Sequence, residues 1–345
     1  MRVPSGGRPV EEVDEFDLID SIQRSIMLHK SRRLSIGIGD DAAVWTPRPG
    51  RQIVLTTDTL IEEVDFRIPW IEYRDLGHKA LAVNLSDIAA MGATPRLALV
   101  SLGLRGSERD REVIEFYQGL NGLARQHHTV IAGGDISDSP HGMVISITAI
   151  GEGPPKGLPL LTRAAAQIGD VIAVTGALGL AAGGLRTYLY DLRNLDGRPV
   201  MREHFDRPTP RVREARVLLR SGVRAAIDLS DGLYGDLPKV CAASNVSALV
   251  DATKIPVPSS IRWAFTDWFD LAVRGGEDYE LLFTASPCVF RRACQAFRRL
   301  GMPEPIAIGT MQEPGADGPE LKLRKLNGQI EVVEPGGFVH FGPKR

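Results

Sequence analysis

Cysteine is scarce. The chain carries three, Cys241, Cys288 and Cys294, an odd number with no CxxC spacing. That count and spacing argue against a disulfide framework and a structural zinc site, and a reducing cytosol fits best. An excess of charge of one sign is also lacking: 41 Lys and Arg stand against 43 Asp and Glu, a net charge of −2. General nucleic-acid binding needs a strong basic excess, so no nucleic-acid partner is expected. No long apolar run is present. The most apolar stretch, 171–185, is interrupted by glycines and at about 15 residues is too short to span a bilayer. The first 15 residues have no apolar segment of the secretory kind. No membrane partner is expected, and the expected location is the cytoplasm. Several signatures of nucleotide and hydrolytic sites are missing as well: GxxxxGK[ST], HRD, DFG, GxGxxG at a helix start, GxSxG and HExxH.

What is abundant is glycine, at 36 of 345 residues, which points to many tight turns or to backbone approaching a ligand closely. At roughly 150 residues per domain the length suggests two domains, large enough to bury a core without staples. Residues 1–14 read as a flexible tail, 15–152 as an N-terminal domain and 153–345 as a C-terminal one, with Gly153–Pro159 as the linker. In the first half, apolar spacing from Phe16 predicts a helix. Strands are expected at Gln52–Thr57, Arg96–Leu104, Val130–Ala132 and Gly142–Gly151, and helices at Arg74–Met91 and Ser107–His127. In the second half, strands are expected at Val171–Thr175, Arg224–Ile227 and Leu281–Thr284, with short ones near Ile306 and Leu321. Helices are expected at Gly179–Tyr190, Pro210–Ser221, Asp236–Ala243 and Pro287–Leu300. The alternation gives an α/β or α+β fold class. Cys288 and Cys294 read as ordinary buried thiols, and Trp263, Phe265, Trp268 and Phe269 as core.

Acidic residues gather at the ends of apolar runs beside Gly, Ser or Thr: Gly37-Ile-Gly-Asp-Asp41, Thr56-Thr-Asp-Thr59, Asn84-Leu-Ser-Asp87, Gly133-Gly-Asp135, Asp228-Leu-Ser-Asp-Gly232 and Gly275-Gly-Glu-Asp-Tyr279. Each alone reads as a turn or cap; six of one kind suggest convergence. The segment Asn84–Asp87 resembles Asp228–Asp231, and Gly133–Asp135 resembles Gly275–Glu277, as a duplication would leave them. Carboxylates about 4 Å apart repel by roughly 1 kcal/mol in water and several times that in a drier site. A converged cluster therefore needs cations, and its all-oxygen donors select Mg²⁺, Mn²⁺ or Ca²⁺. Phosphates usually complete such coordination, so the pattern suggests a Mg-nucleotide site for phosphoryl transfer.

Read together and in order, these segments closely resemble the thiamine-monophosphate kinase family, over about residues 15–342. The most specific parts are Lys79-Ala-Leu-Ala-Val-Asn-Leu-Ser-Asp-Ile-Ala-Ala-Met-Gly-Ala93 and Gly275-Gly-Glu-Asp-Tyr-Glu-Leu281. That family belongs with aminoimidazole-ribonucleotide synthetase, selenophosphate synthetase and a hydrogenase-maturation dehydratase. The resemblance implies a two-domain synthetase-like fold. Its N-terminal domain would form a shared β-barrel across a homodimer, and ATP would bind in the cleft beside a C-terminal α/β domain. It implies direct, Mg-assisted transfer of the ATP γ-phosphoryl group onto thiamine monophosphate, giving thiamine diphosphate, the last step of that cofactor's biosynthesis. Several Mg²⁺ ions per site are implied, with Asp41, Thr56, Thr57, Asp58, Asp87, Asp135, Asp228 and Asp231 as ligands. Tyr117, Gly134, Asp135, Arg163 and Ser230 would contact ATP, and Asp65, Glu277 and Phe338 the thiamine end. Asp65-Phe66 stands where the family usually has His before Phe, a departure that bears on the acceptor. No covalent or general-base residue is expected. The alternatives are another ATP-dependent small-molecule kinase or synthetase of the superfamily, and a nucleotide sensor without turnover.

Overall fold

The computed structural model describes residues 7–26 and 31–338. The chain divides into two compact units, one made of residues 1–88 and 94–156, the other of 89–93 and 157–345.

The first unit runs α1 (Glu15–Ser25), β1 (Leu34–Ile36), β2 (Val44–Trp45), β3 (Arg51–Ile61), α2 (Tyr73–Ala90), β4 (Thr94–Leu104), α3 (Asp110–Gln126), β5 (Val130–Asp138) and β6 (Val144–Pro155). Four strands form an open sheet in the order β3-β6-β4-β5, antiparallel except between β4 and β5. Among the described residues the sheet does not close into a barrel. Helix α2 is buried almost all round, with Leu76, Leu81, Leu85 and Ile88 fully enclosed. Four polar residues of the helix, His78, Lys79, Asn84 and Ser86, are buried along with them. It crosses α3 at two glycines. A Cβ on Gly77 would stand 1.9 Å from the Phe116 carbonyl oxygen, and one on Gly119 would stand 1.7 Å from that of Arg74. The backbones touch there, and no side chain fits. The β1–β2 hairpin packs through Leu34, Ala43 and Trp45 on Leu97, Val130 and Ala132.

Residues 7–13, expected to be loose, are held: the Val10 N–H donates to the Glu108 carbonyl (2.8 Å) and Arg109 Nη1 donates to that of Gly7 (2.6 Å). The expected linker is strand as far as Pro155.

The second unit contains β7 (Val171–Val174), α4 (Leu180–Leu189), α5 (Arg198–Asp206), α6 (Val212–Ser221), β8 (Ala225–Asp228), α7 (Leu233–Ser244) and β9 (Ser247–Asp251). It continues through α8 (Ser259–Ala264), α9 (Trp268–Arg274), β10 (Leu281–Ala285), α10 (Pro287–Arg299), β11 (Ile306–Gln312), β12 (Leu321–Arg324) and β13 (Ile330–Val332). Its sheet has the order β13-β12-β9-β11-β7-β10-β8, antiparallel except between β12 and β9. The polar helix α5 buries only Met201, Phe205 and Asp206 and lies against α4, where a Cβ on Gly184 would meet the Met201 carbonyl at 2.3 Å.

Three sequence expectations are corrected. The aromatic stretch breaks at Phe265 between two short helices, leaving Trp263 86% exposed while Phe265 is buried. Cys288 is exposed. The paired motifs are not structural repeats: Asn84–Asp87 lies inside α2 and Asp228–Asp231 at a strand end, while Gly133–Asp135 lies inside β5 and Gly275–Glu277 follows α9. Among the described residues, no helix is long and apolar enough to cross a membrane.

The glycine crossing predicts that Gly119→Val lowers stability by about 3 kcal/mol or more, because an oversized side chain must force the two helices apart. Thermal and urea unfolding of the variant measure this, with Gly122→Val on the open side of α3 as the control.

Candidate active site

In the first unit the site is built where β3 lies against α2. Side chains alternate along a strand, so Thr56 and Asp58 share one face of β3. Thr56 Oγ1 donates to Asp87 Oδ2 at 2.5 Å. The Asp58 N–H donates to Asn84 Oδ1 at 3.2 Å, and Asn84 Nδ2 donates back to the Ala80 carbonyl at 3.1 Å. Asn84, fully buried, thus ties strand to helix and sets Asp58 beside Asp87, three residues further along α2. Thr57 points to the other face, where its hydroxyl donates to the Ile147 carbonyl (3.2 Å) and accepts from Thr148 Oγ1 (3.3 Å). Its side chain is not on the face that carries Asp58.

Burial, reinforced by the charge of Asp87, pushes the Asp58 carboxyl up to about 6. Above that value Asp58 is ionised at a cost that a cation would remove. The donor set fits a hard cation: two carboxylates and a threonine hydroxyl, with no nitrogen or sulfur ligand. Asp135 lies on β5 opposite Ser101 of β4 and accepts from Ser137 Oγ at 2.9 Å. The buried phenol of Tyr117 is within reach of its charge: burial first, and Asp135 second, push the Tyr117 hydroxyl up. Gly134 has a packing reason to be glycine, since a Cβ there would stand 1.9 Å from the Val100 carbonyl. Asp41 is exposed on the turn between β1 and β2, on the hairpin that packs beside the start of β5.

Among the described residues, no three His, Cys, Asp or Glu side chains stand close enough together to hold a metal on their own. Within the first unit, the acidic groups brought side by side are the Asp58–Asp87 pair. Asp65 is engaged locally: its Oδ2 accepts from the Ile61 N–H at 2.8 Å, fixing the turn before the buried Phe66.

In the second unit, Asp228 ends β8 and is buried. The residues after it pair with the Gly275–Glu280 segment. The Leu229 N–H donates to the Glu280 carbonyl (2.8 Å), the Tyr279 N–H to that of Leu229 (2.9 Å), and the Glu277 N–H to that of Ser230 (2.9 Å). The Phe338 N–H reaches the Asp231 carbonyl at 3.4 Å. Asp228, Ser230, Asp231, Glu277 and Phe338 therefore belong to one local assembly. Arg163 is exposed and follows Thr162, which bridges to Ala225 on the outer edge of β8.

Glu277 and Tyr279 both adopt positive φ, 69° and 49°, and strain of this kind gathers at functional loops. Asp278 between them was not singled out in the sequence reading. Its carboxylate accepts from the Gly179 N–H (2.7 Å) and the Ala181 N–H (3.3 Å), filling the N-terminus of α4. Burial pushes it up to about 7 against those hydrogen bonds. Glu280 is likewise committed, to Thr175 Oγ1 (2.6 Å) and to the Arg211 guanidinium.

Comparison with known proteins shows what the chain resembles. Residues 39–152 match the AIR synthase related protein, N-terminal domain, and 167–322 the corresponding C-terminal domain. Over 333 residues the chain is 35% identical to the thiamine-monophosphate kinase of Bacillus subtilis (strain 168), covering 95% of this chain and all of that one. The crystal structure of thiamine-monophosphate kinase from Stenotrophomonas maltophilia K279a is similar with a TM-score of 0.79 at 38% identity, over 90% of this chain and 96% of that one. The structure of AaThiL complexed with AMPPCP and TMP is similar with a TM-score of 0.73 at 28% identity, over 98% and 100%.

The raised Asp58 carboxyl means that the folded protein holds this proton more tightly than the unfolded chain does. Stability is therefore full below the ordinary aspartate value and falls as pH rises from there to about 6. Asp58→Asn is expected to raise metal-free stability by roughly 1–3 kcal/mol at pH 8, with little gain at pH 4. Urea unfolding at the two pH values tests the sign.

Proposed function

The chain belongs to the thiamine-monophosphate kinase family of AIR synthase related proteins, and from that premise we propose that it transfers the γ-phosphoryl group of ATP to thiamine monophosphate. The observation that carries the reading is the Asp58–Asp87 pair with Thr56: two carboxylates held together with an all-oxygen donor set, where phosphoryl transfer between two polyanions needs positive charge.

A phosphate oxygen of thiamine monophosphate attacks the γ-phosphorus, the bond to the β-phosphate oxygen breaks, and ADP leaves with that electron pair. The acceptor monoester has a second pKa near 6 and is already anionic at neutral pH. No general base is required, and none of the residues described above needs to serve as one. Mg²⁺, when bound, supplies the charge that screens the two polyanions and steadies the transferring group. We assign its retention to Asp58, Asp87 and Thr56, with Asp41, Asp135 and Asp228 as further anionic ligands. Thr57, whose hydroxyl is turned away, has only its backbone oxygen to offer.

Tyr117, Gly134, Arg163 and Ser230 are proposed to meet ATP, and Glu277 and Phe338 the thiamine end. Phe338 is half exposed and presents its ring for stacking on a heteroaromatic ring. Asp65 holds a turn, and its place in substrate binding is indirect. A homodimer is proposed as well. In the first unit Leu55 is 66% exposed and Leu99 lies open on the sheet, an apolar surface that a second copy would cover. The three unpaired thiols suit a cytoplasmic setting.

Purified protein incubated with ATP, Mg²⁺ and thiamine monophosphate should give thiamine diphosphate and ADP in equal amounts, followed by phosphorus NMR. Asp87→Asn should lower turnover by at least 100-fold without loss of metal-free stability, since it removes like charge. ADP with free phosphate and unchanged thiamine monophosphate would move the acceptor elsewhere. An Asp87→Asn variant that unfolds while retaining activity per folded molecule would make the residue structural.

A further inference from the structure

Helix α7 sets Asp236 and Lys239 one turn apart, on the side of the helix that faces Asp231 at its entrance. Lys239 Nζ is 2.5 Å from Asp231 Oδ2 and 2.7 Å from Asp236 Oδ1. The Asp231 N–H donates to Asp236 Oδ2 at 2.9 Å. The Asp236 side chain is 1% exposed, so its charge must have a partner at hand. Burial pushes the Asp236 carboxyl up, and Lys239 draws it back down. The three side chains and one N–H form a closed knot in which the ammonium is the only cation.

Asp231 carries more than this contact. Its carbonyl accepts from the Phe338 N–H, and a Cβ on Gly337 would stand 2.3 Å from the same oxygen. The segment bearing Phe338 rests directly on Asp231, and Ser230 precedes it. A cation that fixes Asp231 therefore fixes the backbone that both residues depend on.

A divalent ion on Asp231 would sit about 2 Å from a carboxylate oxygen, with the ammonium only a few ångströms away. Repulsion between the two would be several kcal/mol in a partly buried site. We infer that Lys239 stands in this chain where a divalent ion would otherwise bind at Asp231, as a permanent cation beside Ser230. The site then holds one ion fewer than its count of aspartates suggests, and the Ser230–Asp231 backbone is ordered before any metal arrives. The inference rests on the kinase reading only in taking Asp231 as a potential metal ligand.

The test counts ions rather than turnovers. Full-length protein with AMPPCP is titrated with Mn²⁺, and the free ion is read from its electron paramagnetic resonance signal. Asp231→Asn is expected to bind as many Mn²⁺ as the unmodified chain. Lys239→Met should bind one more per chain, and Lys239→Arg, which keeps the charge, should bind no more. Loss of one ion in Asp231→Asn overturns the inference, as does an unchanged count in a folded Lys239→Met. If Lys239→Met does not fold, Asp231→Asn decides, because it leaves the Lys239–Asp236 pair in place. Failure of the kinase reading would show separately, as absence of thiamine diphosphate with the ion counts unaltered.

Discussion

Two like charges held side by side organise the first unit. Asp58 comes from an edge strand and Asp87 from a buried helix, and Asn84 ties the two elements by accepting from the Asp58 backbone and donating within its own helix. Keeping Asp58 ionised there costs stability, through burial first and the charge of Asp87 second. It is sustained by the enclosed apolar residues of α2 and by the glycine crossing with α3. The fold supplies a rigid frame, and the frame holds an unfavourable pair that a cation relieves. Phosphoryl transfer between two anions uses that relief directly.

The second unit handles charge in the opposite manner. Asp231 and Asp236 share the Lys239 ammonium, Glu280 pairs with Arg211, and Asp278 accepts from the N–H groups at the start of α4. These internal partners hold a loop in which two non-glycine residues adopt positive φ. A loop so constrained presents Ser230 and Glu277 in fixed positions, which suits orientation of a substrate. The first unit sets a carboxylate pair side by side, while the second gives Asp231, Asp236 and Glu280 internal cationic partners.

Much of this was legible in the sequence. Helix α10 announces itself through Ser286 as cap, Pro287 at its first position and apolar residues at helical spacing. The site motifs were found because carboxylates beside Gly, Ser and Thr at the ends of apolar runs are a chemical pattern. The placement of Thr57 could have been read from strand alternation alone, which puts it on the face opposite Asp58. The helix α5 was missed because its fold signal is two residues, Met201 and Phe205, whose packing surface is the glycine pair of α4. Lys239 was missed although it lies three residues after Asp236. The spacing showed one helical face, but only the structure shows Asp231 turned toward it. Trp263 failed as a core residue because the stretch is two short helices and not one.

The central claim is that Asp58 is poised for a cation, and its carboxyl titration tests this most directly. Carbon-13 NMR of the aspartate carboxyls, with Asp58 assigned through Asp58→Asn, should show a midpoint near 6 without divalent ions. Added Mg²⁺ should drive that midpoint below the ordinary aspartate range. A carboxyl that titrates at the ordinary value and does not move with Mg²⁺ would contradict the account.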